Sequence, residues 1–381
     1  MENNINNNKV EKLFNFNDLG PDKSSLLRVL EERCLEKLKS FSYNLIDPPI
    51  LESSDLFFRK SLGNTSSSTY TFTDFSNQQV SLRPDFTASA IRLIFSEEVT
   101  AEYGMLNKVC YSGPVFRHSI ETNDPIQIYQ VGSEYLGSKG VESDTEILKQ
   151  AISCLGLSGV NKYKLTLGHV GILRKFLEYT VQSEPIIDLV MSNLDILATK
   201  SKKNFLTKAR MLNLIRDEKS KKSRSDYSIY ENKISGNTGL RSKDDILKRL
   251  NSKIDNQVYI NDLEDCIGSV EKILHLNLKD MLNGKLQSLA NFELDDLVNV
   301  TENLLSKGID SNNIKLDFSL TRNLAYYSGI VFNIKTDDDL CVLGGGGRYD
   351  DLPKRLGYEY EDGCSGFALN LSRIVDILGR K

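Results

Sequence analysis

Strand-like runs occur near both ends of this 381-residue chain, while the stretch between them reads as helical and polar, and that interruption limits the fold more than any other feature. Before it come NLIDPPILE (44–52), STYTFTDF (68–75), QVSLRPDF (79–86), NKVCYSGPVFRH (107–118) and IQIYQVGSEYLG (126–137). After it come IKLDFSL (314–320), SGIVFNI (328–334) and the glycine-rich CVLGGGGRYDDL (341–352). The two runs at 107–137 flank a short polar loop, Ser119–Pro125, which predicts an antiparallel pair. Strands supplied by both ends must meet in one sheet, so the expected class is α+β with a largely antiparallel sheet flanked by helices.

The helical signals fit that plan. Leu26, Leu27, Val29, Leu30, Cys34, Leu35 and Leu38 recur at helical spacing between Lys23 and Lys39. TASAIRLIF (87–95) reads as a helix starting just past Pro84 and Asp85. Ser143 and Glu146 have the spacing of a capping box in front of a helix to Leu157. The expected organisation is a disordered Asn-rich arm over 1–10, a core made of 11–183 and 311–381, and a helical insertion over 184–310.

The net charge of -4 argues against holding nucleic acid by bulk electrostatics. A basic block at 200–226, interleaved with Phe205, Leu206, Met211 and Leu212, reads as a solvated helix surface, with a nucleic-acid face as the alternative. Six scattered cysteines without a C-x-x-C pair, and three histidines, predict buried reduced thiols and no metal. No apolar run approaches the ~18 residues of a membrane span, and a cytoplasmic protein is expected.

Four stretches carry more polar and glycine residues than a plain core needs. In SLRPDFTAS, Asp85 and Thr87 project together beside a bend, where they could accept a ligand ammonium; in a second reading Asp85 merely caps the helix. Strand alternation puts Gln130 and Glu134 on one face with Gly132 between them leaving space, and Arg117 on the facing strand. In RNLAYYSGIVF (322–332), Arg322 could clamp an anion, while Tyr326 and Tyr327 point to opposite faces if the segment is extended. LGGGGRYDD (343–351) lets the backbone approach a ligand or another strand closely; it is neither a P-loop nor a dinucleotide fingerprint. His118, His169 and His275 lack nucleophile partners and read as structural. Together these stretches describe a polar pocket for a small zwitterion or anion.

In this order the motifs resemble the catalytic core of the histidyl-tRNA synthetase family, class II aminoacyl-tRNA synthetases, over nearly the whole chain. LFFRKSLG with YTFTDF and LRPDFTA is similar to that family's first region, YSGPVFRHS with IYQVGSEYLG to its motif 2, and SGFALNLSRI to its motif 3. RNLAYYSGIVF and GGGGRYDDL resemble its two histidine signatures. The resemblance implies a histidine pocket in which Asp85, Thr87 and Gln130 surround the amino group. Glu134 and Tyr327 would face the imidazole, with Tyr326 and Tyr349 nearby, and Arg322 would lie by the carboxylate. Arg117 and Arg373 would be the motif arginines that hold ATP, and a homodimer through the core is implied.

Departures from the synthetase pattern shift the expected function. The chain ends eight residues after Arg373, where a synthetase continues into an anticodon-binding domain of roughly a hundred residues. Glu121 and Asp124 stand in the motif 2 loop, where basic residues meet ATP and tRNA. Asn323 and Ala325 replace a usual glycine and acidic residue, Asp85 shortens a glutamate, and Asn370 stands for a glycine, so that its side chain would intrude on the nucleotide. This pattern, with LTLGHVGILR (165–174), resembles the ATP phosphoribosyltransferase regulatory subunits. That likeness implies a non-catalytic, histidine-sensing partner of the short catalytic subunit in a hetero-octamer of four plus four, with no cofactor and no tRNA. The alternatives are a truncated synthetase-like enzyme that adenylates histidine, and a binding module using the basic block.

Overall fold

Leu27, Leu30, Cys34 and Leu38 form a buried stripe along α1 (Pro21–Lys39), and that stripe seats the helix against one face of the central sheet. The computed structural model describes residues 10–61, 69–118, 125–137, 140–181, 183–199, 202–216, 257–283, 294–320 and 326–379. The chain packs as two compact units. One comprises 1–166, 299–314 and 321–381; the other comprises 167–298 and 315–320.

In the first unit α1 is followed by β1 (Asn44–Leu45), β2 (Leu51–Ser53), α2 (Ser54–Ser61), β3 (Thr71–Thr73) and β4 (Gln79–Leu82). Then come α3 (Thr87–Ile94), α4 (Glu97–Tyr103), β5 (Lys108–Phe116), β6 (Gln127–Leu136) and α5 (Val141–Leu157). Strand β7 (Tyr163–His169) leads into α6 (Val170–Thr180), α7 (Glu184–Met191), α8 (Leu194–Ala198), α9 (Lys202–Met211), β8 (Ile215–Arg216), β9 (Val258–Tyr259), α10 (Ile260–Leu274), α11 (Leu278–Leu282) and α12 (Leu294–Ser306). The chain returns through β10 (Ile314–Leu316), β11 (Ile330–Thr336), β12 (Val342–Arg348), α13 (Leu352–Arg355), β13 (Cys364–Asn370) and α14 (Leu371–Leu378).

The sheet order is β1-β5-β6-β13-β12-β11-β7-β10, and its first six strands belong to the first unit. Strand β1 lies parallel to β5, and the pairings β5–β6, β6–β13, β13–β12 and β12–β11 are antiparallel. C-terminal β13 thus docks beside N-terminal β6, with Gly366 opposite Glu134. The architecture is α+β with a mostly antiparallel sheet built from both ends of the chain, as the interrupted pattern predicts. A separate antiparallel sheet, β2-β4-β3, carries the approach to α3.

One local reading is corrected. Ser143 does not cap α5, whose N-cap is Gly140; its hydroxyl donates to the Gly140 carbonyl and accepts from Arg348, because the helix begins a turn earlier than the capping-box spacing implies. Glu146 instead pairs with Lys108 at 2.8 Å. In α9, Phe205, Leu206 and Ala209 are buried, while Met211 and, just past the helix, Leu212 are exposed. The rest of the basic block, 217–226, lies outside the described residues, as do the loop 119–124 and the arm 1–9. All six cysteines are free thiols, five of them buried. Among the described residues no helix is long and apolar enough to cross a membrane.

Candidate functional site

One face of the sheet packs under α1, α5 and α14; the other carries the candidate site. Strand register fixes which side chains share that second face. Gly113 opposes Gln130 and Tyr111 opposes Gly132; across β6, Gly132 opposes Ala368 and Glu134 opposes Gly366. Ala368 in turn opposes Gly345, which opposes Asn333. Small residues therefore floor a trough in which Gln130, Glu134 and Asn333 stand. The Gln130 Oε1 and Asn333 Oδ1 atoms are buried without a hydrogen-bond partner among the described residues. A buried orphan acceptor is expensive, and a ligand donor is the natural remedy.

Glu134 is 1% exposed at the centre. The Tyr111 hydroxyl donates to its Oε1 at 2.9 Å, and the Tyr349 hydroxyl donates to its Oε2. Burial and the Glu134 charge push both phenols well above their ordinary value, so they stay protonated and remain donors. Burial likewise raises Glu134 to about 7; hydrogen bonds from Tyr349, Thr87 and Tyr111 and the nearby Lys60 charge oppose that rise. The close approach explains two glycines. A Cβ on Gly366 would lie 1.8 Å from the Glu134 Oε2, and one on Gly132 would meet the Phe367 carbonyl at 2.2 Å and the Tyr111 hydroxyl at 2.8 Å. The space expected above Gly132 is therefore filled by Tyr111.

The loop leading to α3 supplies the next wall. Arg83, 1% exposed, donates to the Pro48 and Pro114 carbonyls at 2.6 and 2.9 Å and lies over the Phe86 ring, which stacks on Tyr111 at 4.2 Å. That stack holds Asp85 and Thr87 against the trough. Phe86, not Asp85, occupies the N-cap position of α3. The Asp85 carboxylate instead meets the Lys60 ammonium at 2.5 Å. Burial by itself would raise Asp85, but the Lys60 and Arg117 charges and the hydrogen bonds from Lys60 and the Thr87 backbone hold it below the usual carboxylate range.

Tyr326 and Tyr327 precede β11 and lie outside any strand, so the extended case that would send them to opposite faces does not arise. Both are buried, their rings lie 4.6 Å apart, and Tyr326 packs edge-on to Tyr349 at 5.9 Å. Arg322 lies outside the described residues. Arg117 follows β5 and donates to the Pro84 carbonyl at 2.6 Å. Arg373 in α14 donates to the Val342 carbonyl at 3.0 Å. Asn370 caps α14: its Oδ1 accepts from the Arg373 backbone at 3.0 Å, so the side chain has a local use at the helix start. The structure thus gathers Asp85, Thr87, Gln130, Glu134, Tyr326, Tyr327 and Tyr349 around the first unit's sheet face.

The family model described as histidyl-tRNA synthetase matches residues 15–211 and 244–374 of this chain. The chain belongs to the histidyl-tRNA synthetase family. Its fold is the class II synthetase fold of that family, as neighbouring solved structures indicate. A histidine–tRNA ligase of Francisella philomiragia is 28% identical over 97% of this chain and 74% of its own length. An ATP phosphoribosyltransferase regulatory subunit of Halothermothrix orenii is 26% identical over 91% of this chain and 71% of the relative. The crystal structure of an ATP phosphoribosyltransferase regulatory subunit/histidyl-tRNA synthetase from Bacillus halodurans superposes with a TM-score of 0.70 at 20% identity. It covers 97% of this chain and 83% of that one.

Within this histidyl-tRNA synthetase family member, sequence reasoning missed Lys60, Tyr111 and Asn333. A signal for Lys60 existed: Phe57 and Lys60 sit one helical turn apart in α2 and are both 3% exposed. A lysine on a buried helix face requires a carboxylate partner. Tyr111 and Asn333 had no such signal, because their place depends on which strands become neighbours.

Proposed function

We propose that this chain is a non-catalytic regulatory subunit of ATP phosphoribosyltransferase. It acts with the short catalytic subunit at the first step of histidine biosynthesis and confers feedback inhibition by histidine. The observation that carries this reading is Glu134, a buried carboxyl at about 7 held by two tyrosine hydroxyls. A carboxyl so poised matches an imidazole, whose ordinary value of about 6.5 lets the two groups share one proton in a charge-assisted hydrogen bond. Gln130 adds an unpartnered buried acceptor beside it, and Arg322 would meet the ligand carboxylate. Arg117 and Arg373, which would take ATP in a ligase, donate to backbone carbonyls. Similarity to proteins named as regulatory subunits supports the same reading. The expected assembly is a hetero-octamer of four plus four built on self-dimers of this core.

Inhibition requires that histidine bind the inactive assembly more tightly than the active one. In reconstitution with a short-form catalytic subunit, this chain should raise phosphoribosyl transfer, and added histidine should suppress it. Glu134→Ala should lower histidine sensitivity about tenfold or more while activation persists, since the lost contact is a charge-assisted one. Undiminished sensitivity in that variant would move the sensor elsewhere. The retained arginines and the similarity to a ligase favour a second reading, a histidine-adenylating enzyme. Histidine-dependent ATP–pyrophosphate exchange by the purified chain would establish it and displace the first.

A further inference from the structure

Lys60 stands near the C-terminal end of α2 with its side chain 4% exposed. Its Nζ lies 2.5 Å from the Asp85 Oδ1 and 4.4 Å from the centre of the Tyr326 ring. A carboxylate on one side and an aromatic face on the other is the environment that a site offers to a ligand ammonium. Here the chain's own side chain supplies the cation. Asp85 also accepts from the Thr87 backbone N–H, so its carboxylate is engaged twice. Gln130, 6% exposed on the same sheet face as Glu134, keeps an Oε1 without a partner.

We propose that Lys60 fills the ammonium subsite of this pocket, so that the pocket recognises a side-chain-substituted imidazole by its ring and does not require an α-amino group. This inference rests on the reading of Glu134 as the imidazole acceptor. Moving Lys60 aside breaks a desolvated ion pair, which is unfavourable when one partner stays buried. Adding a second ammonium at Asp85 with Lys60 in place sets like charges side by side, and Arg117 adds a third positive charge to the neighbourhood. A ligand amino group is left with the Gln130 amide oxygen, a neutral acceptor. Lys60 therefore acts as a specificity determinant: it withdraws from the ligand the carboxylate that would otherwise select an amino acid over its deamino analogue.

The test is calorimetric titration of the full chain with L-histidine and with 3-(imidazol-4-yl)propionate, which keeps ring and carboxylate but lacks the amino group. The wild-type protein should bind the two within about threefold, whereas a carboxylate reading the ammonium would separate them by about tenfold or more. Lys60→Met should restore a preference for L-histidine of about tenfold, because Asp85 then faces the ligand without its cation. Lys60→Arg, which keeps a positive charge there, should keep the wild-type ratio. A wild-type preference for L-histidine above about tenfold overturns the proposal and leaves the sensor reading intact. Near-equal wild-type binding with an unchanged ratio in Lys60→Met also overturns the role of Lys60. Binding of neither compound to wild type removes the imidazole-sensor reading itself, and this proposal with it. The wild-type ratio decides even where Lys60→Met fails to fold.

Discussion

Glu134 concentrates the electrostatics of the site in one carboxyl. In the unfolded chain it returns to its ordinary value of 4.5, whereas in the fold it is held at about 7. Between these values the native protein binds more protons than the unfolded chain. The stabilisation is therefore complete below about pH 4.5 and is lost as pH rises through 7, a change of roughly 3 kcal/mol for this group. Glu134→Gln stays neutral at every pH. The stability gap between variant and wild type, measured by urea unfolding, should shift in the variant's favour by most of that amount between about pH 5 and pH 8. A gap that stays flat across the range would show that Glu134 titrates normally. Asp85 behaves oppositely, since Lys60 and Arg117 keep it ionised. The two carboxyls are thus shifted in opposite directions: burial dominates at Glu134, whereas at Asp85 the Lys60 and Arg117 charges outweigh it.

At the scale of elements, the site depends on contacts between segments far apart in sequence. Arg348 at the end of β12 donates to both carboxylate oxygens of Asp144 in α5, at 2.8 and 3.2 Å, and also to Ser143, Gly140 and Asp350. The pair is almost fully buried, 9% and 6% exposed. Removing one partner strands the other charge, so Arg348→Met should lower stability by about 3–5 kcal/mol in urea unfolding. A loss below about 1 kcal/mol would mean that the network is solvated. Gly366 makes the complementary case, because a methyl group there collides with the Glu134 carboxylate. Gly366→Ala should cost about 1–3 kcal/mol and weaken imidazole binding together, by displacing Glu134. Stability measured beside calorimetry checks the pairing of the two losses. In GGGGRYDD the glycines were legible as permissive backbone, yet the sequence left open whether a ligand or a strand comes close. Strand β13 is what comes close: a Cβ on Gly346 would lie 2.0 Å from the Gly366 carbonyl.

At the scale of the whole molecule, the sheet joins β6 to β13 although more than two hundred residues separate them. A fragment ending at 183 would leave β6 as an open edge and the trough without β11, β12 and β13. Such a fragment should show no cooperative thermal unfolding by circular dichroism, and a sharp transition would mean that the N-terminal strands form a core alone. The α+β class, the β5–β6 hairpin, the helices at 21–39 and 87–94 and the shared face of Gln130 and Glu134 were all readable from periodicity. Periodicity is local, set by side-chain alternation and helical repeat within a few residues. Family resemblance extended that reading to Tyr349 and Thr87, which the fold brings to Glu134. Local pattern could not decide the turn that places Tyr326 against Tyr327, the stack of Arg83, Phe86 and Tyr111, or the pairing of Lys60 with Asp85. Those arrangements arise only when separate elements bury their polar groups against one another, and each buried charge must then find its partner in three dimensions.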